Sequence, residues 1–436
     1  VIPSHDLFTL INIAAMALLA WGIPLQMVPI FIWLERKGSA VIQDRIGPNR
    51  AEILGFRLFG MLHNIADVVK LLMKEDLMPG GVHRTYYLLA PFLSMSVALL
   101  PLAVIPFASP LPLGENVVSF QVAGFDLGLL LILAITSLGV FGIMLAGWAS
   151  NSKFSLMGGL RSSAQMISYE LSVGLAVVGL IMSFGDINLL HIVEAQGREL
   201  SLFGHALPLP NWGLFLQPVG FLLFLVGSFA ETNRNPFDLA EGESELVAGY
   251  HTEYSSMKFA LFFMAEYSNM TVAAIVLSTL FLGGYQVPFA PVDVLRANPK
   301  ALLGILGGLH LVGGAALGLL FIQMGRSKMS YETGTHRVEM FIYALAAFAA
   351  AAAGLLLLLV LPGLAIPAWL PGPLAALVQF SCLMAKALFF CWLFVWVRWT
   401  LPRFRYDQLM NLGWKLMLPL ALLNVAITGI LVLIQR

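Results

Sequence analysis

Runs of about twenty apolar residues recur along this chain, at approximately 7 to 32, 86 to 108, 125 to 148, 163 to 184, 212 to 232, 256 to 283, 300 to 324, 339 to 362, 375 to 399 and 411 to 434. A helix of that length crosses the ~30 Å hydrocarbon layer. In lipid every backbone polar group must be satisfied internally, so only helices and closed barrels can span. The short segments of alternating polarity that mark a barrel do not occur here. With 59% hydrophobic and 11% charged residues and a mean hydropathy of +0.86, the 436 residues hold too little polar surface for a soluble globule. The expectation is an all-α integral membrane protein, a single membrane domain over residues 1–436 with about ten transmembrane helices.

The net charge of zero hides a sidedness. Lys and Arg number eight in residues 33–85, two in 149–162, two in 233–258, three in 325–338 and three in 398–405. The alternate loops 109–124, 185–211, 284–300 and 363–374 carry none, one, two and none. By the positive-inside rule the first set faces the cytoplasm and both termini face the other side. The first run lacks a basic leader and a small-residue exit, so it reads as a retained span. The only cysteines, Cys382 and Cys391, cannot form an iron-sulfur or zinc spacing. Any electrons must therefore arrive on a partner's cofactor.

Residues 33–85 are expected to form a cytoplasmic loop with an interfacial helix. In WLERKGSAVIQDRIGPNRAEIL, Gly38 and Gly47-Pro48 read as helix breakers, and Arg36, Lys37, Arg45 and Arg50 alternate with Glu35, Asp44 and Glu52. An ordinary positive-inside loop is one reading; a shaped contact surface is the other. From 55 to 74 a polar stripe of Arg57, His63, Asn64, Asp67, Lys70 and Lys74 runs beside apolar positions. That pattern favours a helix lying in the interface plane rather than crossing.

Six of the chain's 24 carboxylates fall between 231 and 253: Glu231, Asp238, Glu241, Glu243, Glu245 and Glu253, against one arginine, Arg234. Charge massed beside lipid usually marks an ion or proton path. In this acidic cytoplasmic loop, 231–255, Asn235-Pro236-Phe237-Asp238 reads as a helix start. Asp238, Glu241 and Glu245 would then share a face and titrate as a coupled set. Within the apolar runs, Glu170 and Glu266 are candidates either for a proton relay or for helix-to-helix hydrogen bonds. Lys386 and His310 are read as structural, Lys386 through packing or an ion pair.

Long motifs in matching order then resemble a known family: FIWLERKGSAVIQDRIGPNR, ADVVKLLMKEDLMP, SYELSVGL, FAETNRNPFDLAEGESELVAGYHTEYSSMKFALFFMAEY and RWTLPRFRYDQLMNLGWKLMLPL. They are similar to the quinone-site membrane subunit of proton-pumping NADH:quinone oxidoreductase, respiratory complex I. The resemblance implies a bacterial inner-membrane subunit that anchors the hydrophilic arm and forms the quinone passage. It implies quinone as substrate, an iron-sulfur cluster on a neighbouring subunit and no covalently bound cofactor. Its partners would be the other membrane and hydrophilic subunits. Glu35, Glu170, Glu231, Asp238, Glu241, Glu243, Glu245, Glu253 and Glu266 would serve the proton relay. Arg36, Arg45, Arg50, Asp67, Lys70 and Arg234 would serve the quinone chamber and docking. The first span, the interfacial helix and the sixth span would frame the entrance.

Two departures stand out. Residues 290–375 add a pair of spans to the family's usual eight, and His63-Asn64 stands where the family often has Gln-Pro. The alternatives are the anchor of an energy-converting membrane-bound hydrogenase and, from another class, a secondary ion transporter.

Overall fold

The computed structural model describes residues 4–113, 116–202, 205–239, 242, 247–326 and 334–435. Among the described residues, nine helices are long and apolar enough to cross a membrane, as an all-α multi-pass membrane protein requires. The expected span at 212–232 is shorter than the others. Its helix, Pro218–Glu231, has 14 residues, about 21 Å at 1.5 Å per residue. Pro218 occupies the first helical position, where its missing N–H costs nothing and its fixed φ starts a helix.

The chain forms two compact units, one of Val1–Leu34, Val69–Phe289 and Gln379–Arg436, the other of Glu35–Val68 and Ala290–Val378. The first helix, α1 (Ser4–Ile42), runs 39 residues. Gly38 does not break it, contrary to expectation. One interior glycine costs only about 1 kcal/mol relative to alanine, too little to halt a helix of that length. The chain turns instead just beyond Ile42, with Asp44 at φ 52°.

In the larger unit, α3 (Arg84–Leu99), α4 (Gly128–Ser137), α5 (Gly139–Ala149), α6 (Lys153–Phe184), α7 (Pro218–Glu231), α8 (Ser256–Phe281), α11 (Pro371–Thr400) from Gln379 onward and α12 (Leu418–Gln435) accompany the N-terminal part of α1. Leu138 joins α4 to α5 across the single expected span 125–148. The apolar centre is built by Tyr169, Val173, Leu180, Phe224, Tyr267, Ile275, Phe281 and Phe394. Two antiparallel hairpins decorate the loops: β1 (Leu111–Leu113) pairs with β2 (Asn116–Val118), and β3 (Glu199–Leu202) with β4 (His205–Pro210).

Lys386 on α11 has a structural role. Its ammonium donates to the carbonyls of Leu282, Gly284 and Gln286 at 2.7, 2.9 and 2.7 Å and lies 5.1 Å from the centre of the Trp212 ring. Carbonyls at a helix end have no partner of their own within the helix. A lysine from a neighbouring helix closes the end of α8.

The smaller unit pairs α9 (Pro299–Arg326) with α10 (Gly334–Val360) and holds the segment from the end of α1 into α2 (Leu62–Met73). At 12 residues, α2 extends about 18 Å and is too short to cross, as its polar stripe anticipates. Before it, Leu58, Phe59 and Gly60 have φ of 46°, 54° and 88°. A left-handed conformation costs a non-glycine residue about 1–2 kcal/mol, so this turn needs outside support. At Gly60 a side chain is impossible, because a Cβ would lie 2.0 Å from the Pro48 carbonyl oxygen.

Small residues let α9 and α10 approach backbone to backbone, the usual means of helix association in lipid. A Cβ on Gly314 would stand 2.6 Å from the Ala347 carbonyl oxygen. Gly314→Val should therefore destabilise the pair by about 1–3 kcal/mol, the cost of overpacking. Heat-induced unfolding of the detergent-solubilised chain would register a lowered midpoint; an unchanged midpoint would show that the helices separate freely there.

Candidate functional site

The site is assembled at the end of α7. Thr232 donates its hydroxyl back to the Ser228 carbonyl at 2.8 Å, and Asn233, at φ 51°, reverses the chain. The buried Gln165 amide of α6 then secures the reversal, donating to the carbonyls of Ala230 and Phe237 at 2.7 and 2.8 Å and to the Asn233 side chain at 3.2 Å. This loop carries Arg234 inward.

Arg234 is only 1% exposed. Its Nε lies 3.0 Å from Glu266 Oε1, and its guanidinium carbon stands 4.1 Å from the centre of the Tyr267 ring. An ion pair and a cation–π contact thus share one arginine. Glu231 sits beside the Thr136 side chain and within electrostatic reach of Glu170. The Ser137 hydroxyl donates to Glu170. Glu170 and Glu266 therefore both have polar partners from other segments, and Glu231 stands between their surroundings.

Two cavities meet here. One, of about 50 Å³, is lined by Thr136, Glu231, Thr232 and Asn269 among apolar side chains. The other, of about 30 Å³, is lined by Ser94, Glu231, Asn233, Glu266 and Asn269. Both have Gly139, Met166, Glu231, Thr232 and Asn269 in their walls. A water needs roughly 10–15 Å³ of such space and two to four polar partners, so each cavity has room for ordered water. Carboxylates, hydroxyls and carboxamides around water can pass a proton by exchanging donor and acceptor roles.

Asp238 forms no helix start. Residues 235–239 are turn, bend or irregular backbone, none of it helical, and Asp238 pairs with Arg403 at 2.7 Å. Burial pushes its carboxyl above the usual range, against the opposing pull of Arg403, Arg398 and Arg234. A pairing across the chain takes the side chain that a capping box needs. His251, in the same loop, is driven down to about 4 by burial against the Tyr250 and Phe259 rings.

Other expected residues lie elsewhere. The Glu253 carbonyl accepts from the Tyr87 hydroxyl at 2.6 Å, in a separate cluster where Lys258 pairs with Asp76 at 2.9 Å. In the smaller unit, Arg36 pairs with Asp67 at 2.6 Å, Glu35 is buried, and Arg45 donates to Gln43 at 2.7 Å. His63 Nε2 accepts the backbone N–H of Arg50 and Ala51, both at 3.2 Å. Lys70 is exposed. Glu241, Glu243 and Glu245 lie outside the described residues. Sequence reasoning missed Thr136, Ser137 and Asn269, which carry no signal inside apolar runs. It treated Arg403 only as a marker of sidedness.

Among the described residues no cluster of His, Cys, Asp and Glu could hold a metal ion. Residues 14–429 match the family model described as NADH dehydrogenase. The chain belongs to that family. NADH-quinone oxidoreductase subunit 8 of Rhodothermus marinus is 43% identical over 417 residues, covering 96% of each chain. An NADH-quinone oxidoreductase subunit of Bdellovibrio bacteriovorus is 41% identical, covering 94% of this chain and 93% of its own. One from Cytophaga hutchinsonii is 39% identical, with 92% and 91% covered. Membership in this NADH dehydrogenase family, with the spanning helices, places the protein among the membrane subunits of NADH:quinone oxidoreductase, respiratory complex I.

Removing one partner of a buried ion pair costs about 3–5 kcal/mol because the other charge keeps its desolvation penalty. Glu266→Leu should lower the unfolding midpoint sharply, and Arg234→Met added to it should restore much of the loss. Additive losses in the double-mutant cycle would mean the two side chains are not coupled.

Proposed function

We propose that quinone enters this subunit from the bilayer and accepts two electrons from an iron-sulfur centre on a neighbouring subunit. The protonation that accompanies reduction then disturbs the carboxylates of residues 231–253. The disturbance passes by way of Glu231 to Glu170 and Glu266 and on toward pumping subunits. Arg36, Arg45, Arg50, Asp67 and Lys70 shape the chamber and dock the hydrophilic arm, while Glu35 belongs with the proton relay. The subunit works in a bacterial inner membrane with both termini on the non-cytoplasmic side.

The observation that supports this most is the pair of cavities meeting at Glu231, with Glu266 on the wall of one and Thr136 on the wall of the other. A proton path needs ionisable groups separated by distances that water can bridge, and these cavities have that character. Asp238, held by Arg403, and Arg234, held by Glu266, join the same loop to two other segments, so a charge change in the loop reaches beyond it.

Glu231→Gln keeps shape and polarity but removes the titratable proton. General acid–base groups contribute roughly 10²–10⁴-fold to rates, so proton translocation in reconstituted vesicles should fall at least about ten-fold, with the complex still assembled. Translocation at the wild-type rate would remove Glu231 from the path.

A further inference from the structure

The pair α9–α10 includes most of the segment that the motifs leave unexplained. Glu339, on the first turns of α10, is 1% exposed. Its Oε1 accepts the backbone N–H of Arg57 at 3.1 Å and of Leu58 at 2.7 Å, and the Tyr343 hydroxyl donates to the same oxygen at 2.5 Å. The next residue of the turn, Phe59, stacks on the Tyr343 ring with centres 5.3 Å apart and planes 23° apart. It also meets Phe321 of α9 at 5.8 Å. These contacts converge on the turn whose left-handed residues, Leu58 and Phe59, would otherwise be unfavourable.

We propose that Glu339 is a positioning residue, and that α9–α10 form a brace that holds the 57–60 turn and so sets the direction in which α2 leaves it. A carboxylate suits this task because it only accepts hydrogen bonds, and bonds to an ionised acceptor are roughly twice as strong as neutral ones. The aromatic trio adds shape: Phe59 packs against the rings of Phe321 and Tyr343 at once. The polar face of α2 follows within a few residues, with Asp67 held by Arg36. An error in the turn would therefore be carried along the helix. The functional consequence rests on the reading of α2 as part of the quinone passage.

The test uses the intact complex in native membranes, with quinone reduction compared to NADH oxidation by a water-soluble acceptor that bypasses the membrane. Glu339→Leu removes the acceptor, Glu339→Gln keeps an acceptor oxygen without the charge, and Phe59→Leu removes the stacking. The expected result for Glu339→Leu is a quinone KM raised at least about five-fold, the effect of losing hydrogen bonds worth about 1 kcal/mol, with soluble-acceptor activity unchanged. Glu339→Gln should fall between Leu and wild type, and Phe59→Leu should shift KM in the same direction. A wild-type KM in Glu339→Leu, or Gln no better than Leu, would overturn the proposal. If Glu339→Leu fails to accumulate, a wild-type KM in both Glu339→Gln and Phe59→Leu overturns it equally. Failure of the underlying reading is distinguishable through Lys70→Leu, a direct change at an exposed position of α2: a wild-type quinone KM there would remove α2 from the passage, whereas a raised KM there beside a wild-type KM in Glu339→Leu would overturn the brace alone.

Discussion

A charge inside an apolar protein must be answered by another charge or by several hydrogen bonds, and the pairing of Arg234 with Glu266 is where this chain meets that demand most severely. The guanidinium is almost wholly removed from solvent, so its position fixes the loop that carries it and the face of α8 that receives it. Gln165 on α6 holds the same loop through two backbone carbonyls. Three helices thereby share one polar centre inside an apolar core. Glu231, Thr232 and Asn269 bring polar groups to the otherwise largely apolar walls of the cavities beside it.

The same rule operates elsewhere with different chemistry. Lys386 answers the open carbonyls at the end of α8. Glu339 answers two backbone N–H groups in the turn before α2. Asp238 answers Arg403, 165 residues away in sequence. Each is a charge in or beside an apolar run, and each ties together segments distant in the chain. In a protein whose helices gain little hydrophobic advantage from leaving lipid, such polar ties supply specificity of arrangement.

Much of this was legible from residues alone. The apolar runs marked the helices because span length is set by membrane thickness, and the polar stripe of 57–74 marked α2 as a helix that does not cross. Charged residues in and beside the runs pointed to Glu170, Glu266 and Arg234, since lipid tolerates charge only for a reason. Their partners were not legible. Nothing local assigns Arg234 to Glu266 or Asp238 to Arg403, and a hydroxyl such as Ser137 is indistinguishable from any other small residue in an apolar helix. Local rules also overreached. Gly38 is tolerated because neighbouring turns outweigh one unfavourable residue. Asn235-Pro236 makes a turn, with the Asn235 amide donating to the Arg398 carbonyl and Asp238 paired with a distant arginine.

On the reading proposed above, quinone reduction changes the protonation of buried carboxyls around Glu231. Redox-induced infrared difference spectroscopy of the intact complex tests it directly, because a protonated carboxyl absorbs apart from a carboxylate. A carboxyl band should change on quinone reduction and be lost in Glu231→Gln. A difference spectrum without such a band, or with the band unaltered in that variant, would contradict it.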